Sequence, residues 1–208
     1  STFADQKKAF EKLCGYKLCY DVKKREFKVA GHSAALYFTF CYANDLLIIN
    51  IISFYLSLDE QKSLSSDFFI KNCSPCGDFS EAKSLEDAAF DMMRGSSVLL
   101  VEGIDKALVG DTRSLPSRGI DEPETDRVLR GARDGFVENL KENTGVLRRR
   151  LVMSDLVMKK FDIGKRSKTM VVLCYASSLA DKKFVEKIEN KLSSIDTDAL
   201  SMGHESLA

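Results

Sequence analysis

The sequence predicts an α/β (α+β) protein of two related small mixed-sheet subdomains with flanking helices, joined by an Arg-rich helical segment. Three observations predict it: a globular composition, an internal hairpin-then-helix repeat, and a concentration of Arg between the repeats. The 208 residues are 44% hydrophobic and 30% charged, with only 3 Pro, as in a folded domain. Because 31 basic residues balance 31 acidic ones, net charge does not favour a nucleic-acid or anionic-membrane binder.

One long apolar run must first be tested as a membrane span. Between Ser33 and Leu58 the only charged residue is Asp45. The turn-like residues 42–45 divide the run into a strand at Ala35–Cys41 and a helix at Leu46–Leu58, each shorter than the roughly 20 residues that a span requires. We therefore expect a strand and a helix, with a membrane-dipping segment as the alternative. A helix that is apolar all round must be covered on more than one side, within its unit or by a partner.

An internal repeat predicts two related units. Phe27 matches Phe161 and Val29 matches Ile163 at a constant offset. Ser33 and Ser167 share that offset, and Cys41-Tyr42-Ala43 matches Cys174-Tyr175-Ala176 after a one-residue slip. Each unit is interpreted as a hairpin whose apolar second strand is buried on both faces, followed by a helix. The second helix, 180–192, carries charges along one face and is expected to lie at the surface.

The other elements between the repeats follow from local signals. A capping-box-like Ser84 begins a helix that ends at Gly95. Val98–Val101 and Lys106–Val109 form a second hairpin. The stretch from Ser63 to Ser80 is the least structured.

Residues 113–150, which we call the signature segment, hold eight of the eleven Arg, interleaved with seven acidic residues. Pro123 can begin a helix that ends at Arg130-Gly131, and Asp134 is a candidate N-cap for a second helix. That second helix is expected to bury a stripe of Phe136, Leu140, Leu147 and Leu151. Three interpretations stay open. Arg and acidic side chains pair across two helices and tie the units together; Arg148–Arg150 form an anion or nucleic-acid site, which the seven acids would oppose; or the segment is an inter-subunit or signal-coupling interface.

The sequence of this segment resembles the signature of the GerA spore-germination family. The matching pieces are Ser117–Glu124, Val128–Phe136, Asn143-Thr144, Leu147–Arg150, Gly164–Thr169 and Ile195-Asp196. That family includes the A subunits of nutrient germinant receptors and stage V sporulation protein AF (SpoVAF). The run Arg-Asp-Gly-Phe-Val-Glu is closer to the second branch but does not by itself separate the two. The first half of the chain matches less well, and Asn72–Cys76 departs from the more apolar stretch expected there.

The resemblance implies a membrane protein of the spore inner membrane whose soluble N-terminal domain lies on the cytoplasmic or spore-core side. This chain would be that domain, cut before an absent membrane region. Its parts would be an α/β subdomain at 1–112, an Arg-rich connector at 113–151, and a second α/β subdomain with a tail at 152–208. It would act without catalysis in signal transduction or complex assembly for germination and ion or dipicolinate release. Other germination-complex subunits are the implied partners, with a homo-oligomer as a further option; no nucleic acid is expected.

We expect the signature segment to couple the two units. As a hypothesis, Arg130 and Arg133 pair with Asp134, and the Arg148–Arg150 helix end helps to fix the orientation of the units. The candidate interface or coupling residues are Arg118, Glu122, Pro123, Glu124, Arg130, Gly131, Arg133, Asp134, Gly135, Phe136, Asn143, Arg148, Arg149 and Arg150.

The rival function is a thiol redox protein using Cys73 and Cys76, which have the spacing of a dithiol site. Loop-like residues follow this pair, whereas such chemistry needs a helix N-terminus. Zinc would require two further ligands, and Cys14 and Cys19 do not have a standard spacing. With only two His and no nucleophile–base motif, we predict no catalytic residue, no metal and no cofactor.

Overall fold

The structure is a computed structural model that describes residues 2–71, 78–113 and 135–198. The chain forms two compact units. The first comprises Ser1–Cys14 with Asp21–Ser154, and the second comprises Gly15–Tyr20 with Asp155–Ala208. The backbone therefore passes from one unit to the other three times.

Antiparallel sheets and helices build both units, which confirms the predicted α/β class. The described elements of the first unit are α1 Phe3–Leu13, β1 Val22–Val29, β2 His32–Thr39, α2 Asp45–Leu56, α3 Ser66–Lys71, β3 Phe79–Glu81, α4 Leu85–Met93, β4 Ser97–Val101, β5 Leu108–Gly110 and α5 Leu140–Arg150. Those of the second are β6 Leu156–Ile163, β7 Thr169–Ala176 and α6 Lys182–Ser194. The first unit has a five-stranded sheet in the order β1-β2-β4-β5-β3, and the second has the hairpin β6-β7.

The long apolar run is a strand and a helix, as predicted. Asn44 caps α2, because its Oδ1 accepts from the backbone N–H groups of Leu46 and Leu47 at 3.0 and 3.3 Å. Within the described ranges, no helix has both the length and the apolar character needed to cross a membrane.

Helices cover β2 on both faces of the first sheet. Leu36 belongs to the core that includes Ile51 of α2. The next residue, Tyr37, points to the other face, where its ring meets Phe10 of α1 edge-on at 5.0 Å. Because strands β1 and β4 pair with its two edges, β2 is buried from Ala34 to Thr39.

Within the first unit, α2 is covered on one side only. Ile48, Ile51 and Tyr55 are buried in the core. On the outer side Leu46, Ile49 and Leu56 are 71%, 57% and 58% exposed. Coverage on more than one side is therefore not provided by the described part of this unit.

The structure bears out the repeat in element order but not in every residue match. Both units have a hairpin followed by a helix, and Val29 and Ile163 each end the first strand. Ser33 and Ser167 are not equivalent, since Ser33 lies in β2 and Ser167 lies in the five-residue connection 164–168. Two residues, Ala30 and Gly31, make the corresponding turn in the first unit.

Two details of the second unit differ from the expectation. Cys41–Ala43 follow β2, whereas Cys174–Ala176 lie inside β7, because the longer turn displaces the second strand along the sequence. β7 is not buried on both faces: its residues are half-buried or exposed, since among described strands it pairs only with β6. The surface position of α6 is confirmed, because Val185 is its only buried residue.

The elements between the repeats are mostly as predicted. Ser84 Oγ accepts from the backbone N–H of Asp87 at 3.0 Å and begins α4. The predicted hairpin is the pair β4–β5. The stretch expected to be least structured instead contains α3, which places Phe69 fully in the core.

Gly95, just after the end of α4, is a position at which the structure leaves little room for a side chain. Its φ is +104°, and a Cβ there would lie 2.8 Å from Arg113 Cγ and 3.0 Å from Tyr42 Cβ. Gly103 also has a positive φ, +88°, but a Cβ there would meet nothing within 4 Å. We expect Gly95→Ala to lower the free energy of unfolding by about 1–3 kcal/mol more than Gly103→Ala does, because only the first adds overpacking to backbone strain.

Chemical denaturation of both variants measures this difference, with Gly103→Ala as the control for left-handed backbone strain. Equal losses of stability in the two variants would show that the space around Gly95 is not limiting.

Candidate functional site

Asparagine side chains set the beginning of helix α5. Asn139 Oδ1 accepts from the backbone N–H of Lys141 at 2.9 Å. The Asn143 side chain makes two hydrogen bonds with the backbone of Val137: it accepts from the N–H group and donates to the carbonyl oxygen, both at 2.7 Å. The helix therefore begins at Leu140. Asp134, the expected N-cap, lies outside the described residues.

The buried face of α5 is not the predicted apolar stripe. Phe136, which precedes the helix, is 67% exposed and Leu151 is 40% exposed, while Leu140 and Leu147 are half-buried. The residues that α5 buries are Thr144, Gly145, Val146 and Arg148. Only Val146 among these is a large apolar residue, so polar contacts contribute much of the attachment of this helix.

Arg148 and Asp21 form a fully buried ion pair. Arg148 Nε donates to Asp21 Oδ2 at 2.9 Å, and Nη2 donates to Oδ1 at 3.1 Å. Both side chains have no exposed area. The bidentate geometry is the one in which Arg binds carboxylate most specifically. The pair joins α5 to the residue that precedes β1, across 127 positions of sequence.

The residues that follow β2 form further contacts with α5. Cys41 lies against Gly145: a Cβ at that glycine would be 3.9 Å from Cys41 O and 4.0 Å from Cys41 Cβ. The Tyr42 hydroxyl donates to the carbonyl oxygen of Gly145 at 3.0 Å. The ammonium of Lys141 lies 5.7 Å from the Phe40 ring centre. Consecutive turns of α5 thus contact three consecutive residues, Phe40 to Tyr42.

The thiol of Cys41 belongs to the surroundings of the ion pair. Its Sγ is 4.0 Å from Asp21 Oδ2. The pKa of Cys41 is raised to about 12, chiefly by burial and also by the charge of Asp21, while the charge of Arg148 opposes the shift. Burial likewise raises the pKa of Tyr42 to about 12. Neither group is ionised near neutral pH.

The structure separates the predicted site residues into two groups. Arg118, Glu122, Pro123, Glu124, Arg130, Gly131, Arg133 and Asp134 lie outside the described residues, as do Cys73 and Cys76. Of the others, Arg148 is buried in the ion pair, Asn143 bonds to the backbone of Val137, and Phe136, Arg149 and Arg150 are exposed while Gly135 is half-buried. In the described ranges, no group of three or more His, Cys, Asp or Glu is placed to hold a metal.

Sequence reasoning missed Asp21, Tyr42 and Gly145 as parts of this site. Asp21 is one of 31 acidic residues, and nothing local distinguishes it. The sequence distinguishes Tyr42 only as part of the turn-like residues 42–45 and of the repeat. The one usable signal was Gly145 in a charged helix, because a glycine within a helix often marks a close approach to another element.

Comparison with known proteins identifies the family. A sequence profile described as Bacillus/Clostridium GerA spore germination protein matches residues 8–207. The chain belongs to the GerA family. Its Arg148 lies within the motif on which the resemblance was based.

Individual relatives show how much of a longer protein this chain represents. It is 32% identical over 206 residues to stage V sporulation protein AF of Bacillus subtilis (strain 168), covering 98% of this chain and 42% of that protein. It is 28% identical over 186 residues to spore germination protein KA of the same organism, covering 86% of this chain and 34% of that protein. The chain thus spans less than half the length of these relatives.

A solved structure has the same fold. The crystal structure of the N-terminal domain of the A subunit of the Bacillus megaterium spore germinant receptor GerK3 superposes with a TM-score of 0.70. The match covers 93% of this chain and 71% of that one, at 22% sequence identity. The GerA-family domain described above therefore shares its architecture with a germinant-receptor domain.

Removal of one partner from the buried ion pair should be costly. We expect Arg148→Met to lower the free energy of unfolding by about 3–5 kcal/mol, because it leaves the Asp21 carboxylate buried without its counterion. Arg149→Met removes the same charge from the exposed neighbouring position, whose guanidinium interacts with the Tyr42 hydroxyl, and should lower stability by no more than about 1 kcal/mol.

A double variant separates packing from charge in that experiment. Asp21→Leu combined with Arg148→Met should recover much of the lost stability, since neither charge remains. Urea denaturation of all four proteins measures the effect. If Arg148→Met unfolds at the same urea concentration as Arg149→Met, the pair does not hold α5.

Cys41 should be chemically inert in the folded chain. A pKa of about 12 against an ordinary value of 9.0 leaves about 1000-fold less thiolate near neutral pH, and only the thiolate reacts with iodoacetamide. We expect mass spectrometry to show slow alkylation of Cys41 and faster alkylation of the exposed Cys174. In denaturant the two thiols should react at similar rates, and a fast folded-state reaction at Cys41 would contradict the burial.

Proposed function

We propose that this chain is the non-enzymatic N-terminal module of a spore germination membrane protein, in which α5 transmits or maintains an orientation needed for germination. One observation carries the proposal: a family-signature residue, Arg148, is buried in a bidentate ion pair with Asp21. In the longer protein the module acts in signal transduction or complex assembly leading to ion or dipicolinate release. We place it at the spore inner membrane, on the cytoplasmic or spore-core side.

Helix α5 is suited to such a role because the contacts that position it include polar, directional ones. The ion pair, the Tyr42–Gly145 hydrogen bond and the small Gly145 surface position the helix. A bidentate ion pair specifies one arrangement of its two partners, so that the helix and the Asp21 segment are held in a fixed relation. A change at either end of α5 would therefore be passed on through a defined set of polar contacts.

The exposed residues beside these anchors are our candidates for contact with other subunits. Phe136 is 67% exposed, and Arg149 lies on the helix next to the buried Arg148. Exposed aromatic and Arg side chains are the residues most often found at the centres of protein interfaces. The names of the relatives, which include germination proteins and a sporulation protein, support partners within a germination complex.

Binding rather than catalysis is the activity that we propose. The relatives are named for germination and sporulation, and none of these names describes an enzyme. Neither the comparisons nor the described geometry favours the thiol redox alternative. The division into 1–112, 113–151 and 152–208, with the middle part as connector, stays a proposal.

Exposed signature residues allow function to be tested apart from folding. We expect Phe136→Ala and Arg149→Ala in the full-length protein to slow dipicolinate release from spores about tenfold, the effect of losing about 1.4 kcal/mol of contact free energy. Because both side chains are exposed, the melting temperature of the purified chain should not change.

Matched substitutions outside the segment provide the control. Phe90 is 43% exposed on α4, and Arg94 lies over its ring at 5.9 Å. Phe90→Ala and Arg94→Ala should leave germination unchanged at equal protein amounts in the membrane fraction. The proposal is wrong if the signature variants germinate as these controls do.

A further inference from the structure

We propose that residues 195–198, which follow α6, form a strap that is held on the β6–β7 turn. Lys165 and Asp196 are its positioning residues, and together they set the direction in which the chain leaves the second unit. The inference rests on the proposed function in one respect, namely that this chain is a module of a longer protein. It concerns two pieces of the family signature, Gly164–Thr169 and Ile195-Asp196, which the role of α5 does not explain.

The structure brings these two signature pieces into contact. Three backbone N–H groups of the turn donate to carbonyl oxygens of the strap: Lys165 to Thr197 O at 2.9 Å, Arg166 to Asp198 O at 3.0 Å and Ser167 to Asp198 O at 3.3 Å. The Lys165 ammonium also lies 2.6 Å from Asp196 Oδ1. The turn therefore binds the strap through its backbone and through a side chain at the same time.

The two kinds of contact contribute differently. The side chains of Lys165 and Asp196 are 67% and 70% exposed, and an ion pair so open to water adds little stability. Backbone hydrogen bonds are directional and satisfy N–H groups that the hairpin does not use itself. We assign the attachment to the backbone bonds and the choice of which strap residue meets the turn to the opposite charges.

Helix α6 needs such an attachment because its own packing is slight. Val185 is its one buried residue, and Lys159 of β6 lies 2.6 Å from Glu189 Oε2. At its end Ile195 is extended, with φ −64° and ψ 111°, so that the chain turns away from the helix axis. A segment beyond a helix keeps one course only where it is tied down, and the turn provides that tie.

The first unit contains the same arrangement. After α2 the chain returns to the β1–β2 turn, where the Gln61 backbone N–H donates to the Ala30 carbonyl oxygen at 3.0 Å. The Gln61 carbonyl oxygen in turn accepts from His32 Nε2 at 3.0 Å. The repeat is thus a hairpin, a helix and a return segment. In the first unit the return segment leads into α3, and we assign the strap the same task for the chain that continues from the second unit.

Hydrogen exchange of the chain, followed residue by residue by NMR, tests the strap. We expect the Arg166 and Ser167 amides to exchange about tenfold more slowly than amides in an open turn. Lys165→Glu should remove that protection, because it places a carboxylate against Asp196. Lys165→Asp combined with Asp196→Lys should restore it, since opposite charges meet again.

A second exposed ion pair provides the matched control. Lys71 lies 2.7 Å from Asp67, and the two side chains are 73% and 66% exposed, much like the pair in the second unit. Lys71→Glu should leave the Arg166 and Ser167 amides protected. Circular dichroism and the melting temperature should be the same in all these variants, because every substituted side chain is exposed.

Spores that carry the full-length protein test the positioning role. Lys165→Glu should slow dipicolinate release about threefold, in keeping with the modest free energy of an exposed pair. Exchange of the two charges should restore the rate, and Lys71→Glu should not change it at equal protein amounts in the membrane fraction. Loss of stability alone would not produce this pattern of loss and rescue.

The strap and the proposed function of α5 can fail separately. Unprotected Arg166 and Ser167 amides in the unsubstituted chain overturn the strap. Lys165→Glu spores that germinate like Lys71→Glu spores overturn its positioning role. Normal germination of the Phe136→Ala and Arg149→Ala spores overturns the role of α5 and leaves these two results as they are.

Discussion

The buried ion pair between Arg148 and Asp21 is the contact on which the position of α5 depends. A guanidinium and a carboxylate without any exposed area can remain charged only if each meets the other with good geometry, because desolvation of an isolated ion costs several kcal/mol. This requirement fixes the position of Arg148 on α5 relative to Asp21. The contacts of Gly145 with Cys41 and Tyr42 then follow one turn earlier in the helix.

The same requirement explains why α5 does not need an apolar face. An apolar stripe permits sliding and rotation of a helix, because the hydrophobic effect is non-directional. A bidentate ion pair, in contrast, specifies one arrangement. The pair adds little net stability compared with apolar side chains of equal size. We infer that the pair contributes to the specificity of the arrangement instead.

Local sequence signals predicted the elements whose boundaries are determined locally. Asn44 and Ser84 begin α2 and α4 through their own caps, and the break in the apolar run is visible in the composition. The contacts that position α5 were not predictable in this way, because Asp21 and Arg148 are 127 positions apart and each is one of many similar charges. Helical periodicity predicted that Phe136 and Leu151 would be buried. In the structure both are exposed, and Gly145 and Arg148 are among the residues that α5 buries.

The two hairpins show how the same local pattern leads to different degrees of burial. β2 and β7 both contain continuous apolar runs, and both follow a first strand that ends in a branched aliphatic residue. Among the described elements, only β2 of these two strands has a strand on each edge and helices over both faces, so only β2 is buried to the extent that its composition suits. The exposure of β7 is therefore a property of what lies next to the strand, and the strand's own residues favour a neighbour. In the first unit the chain supplies that neighbour as β4, whereas no described strand takes the equivalent place beside β7.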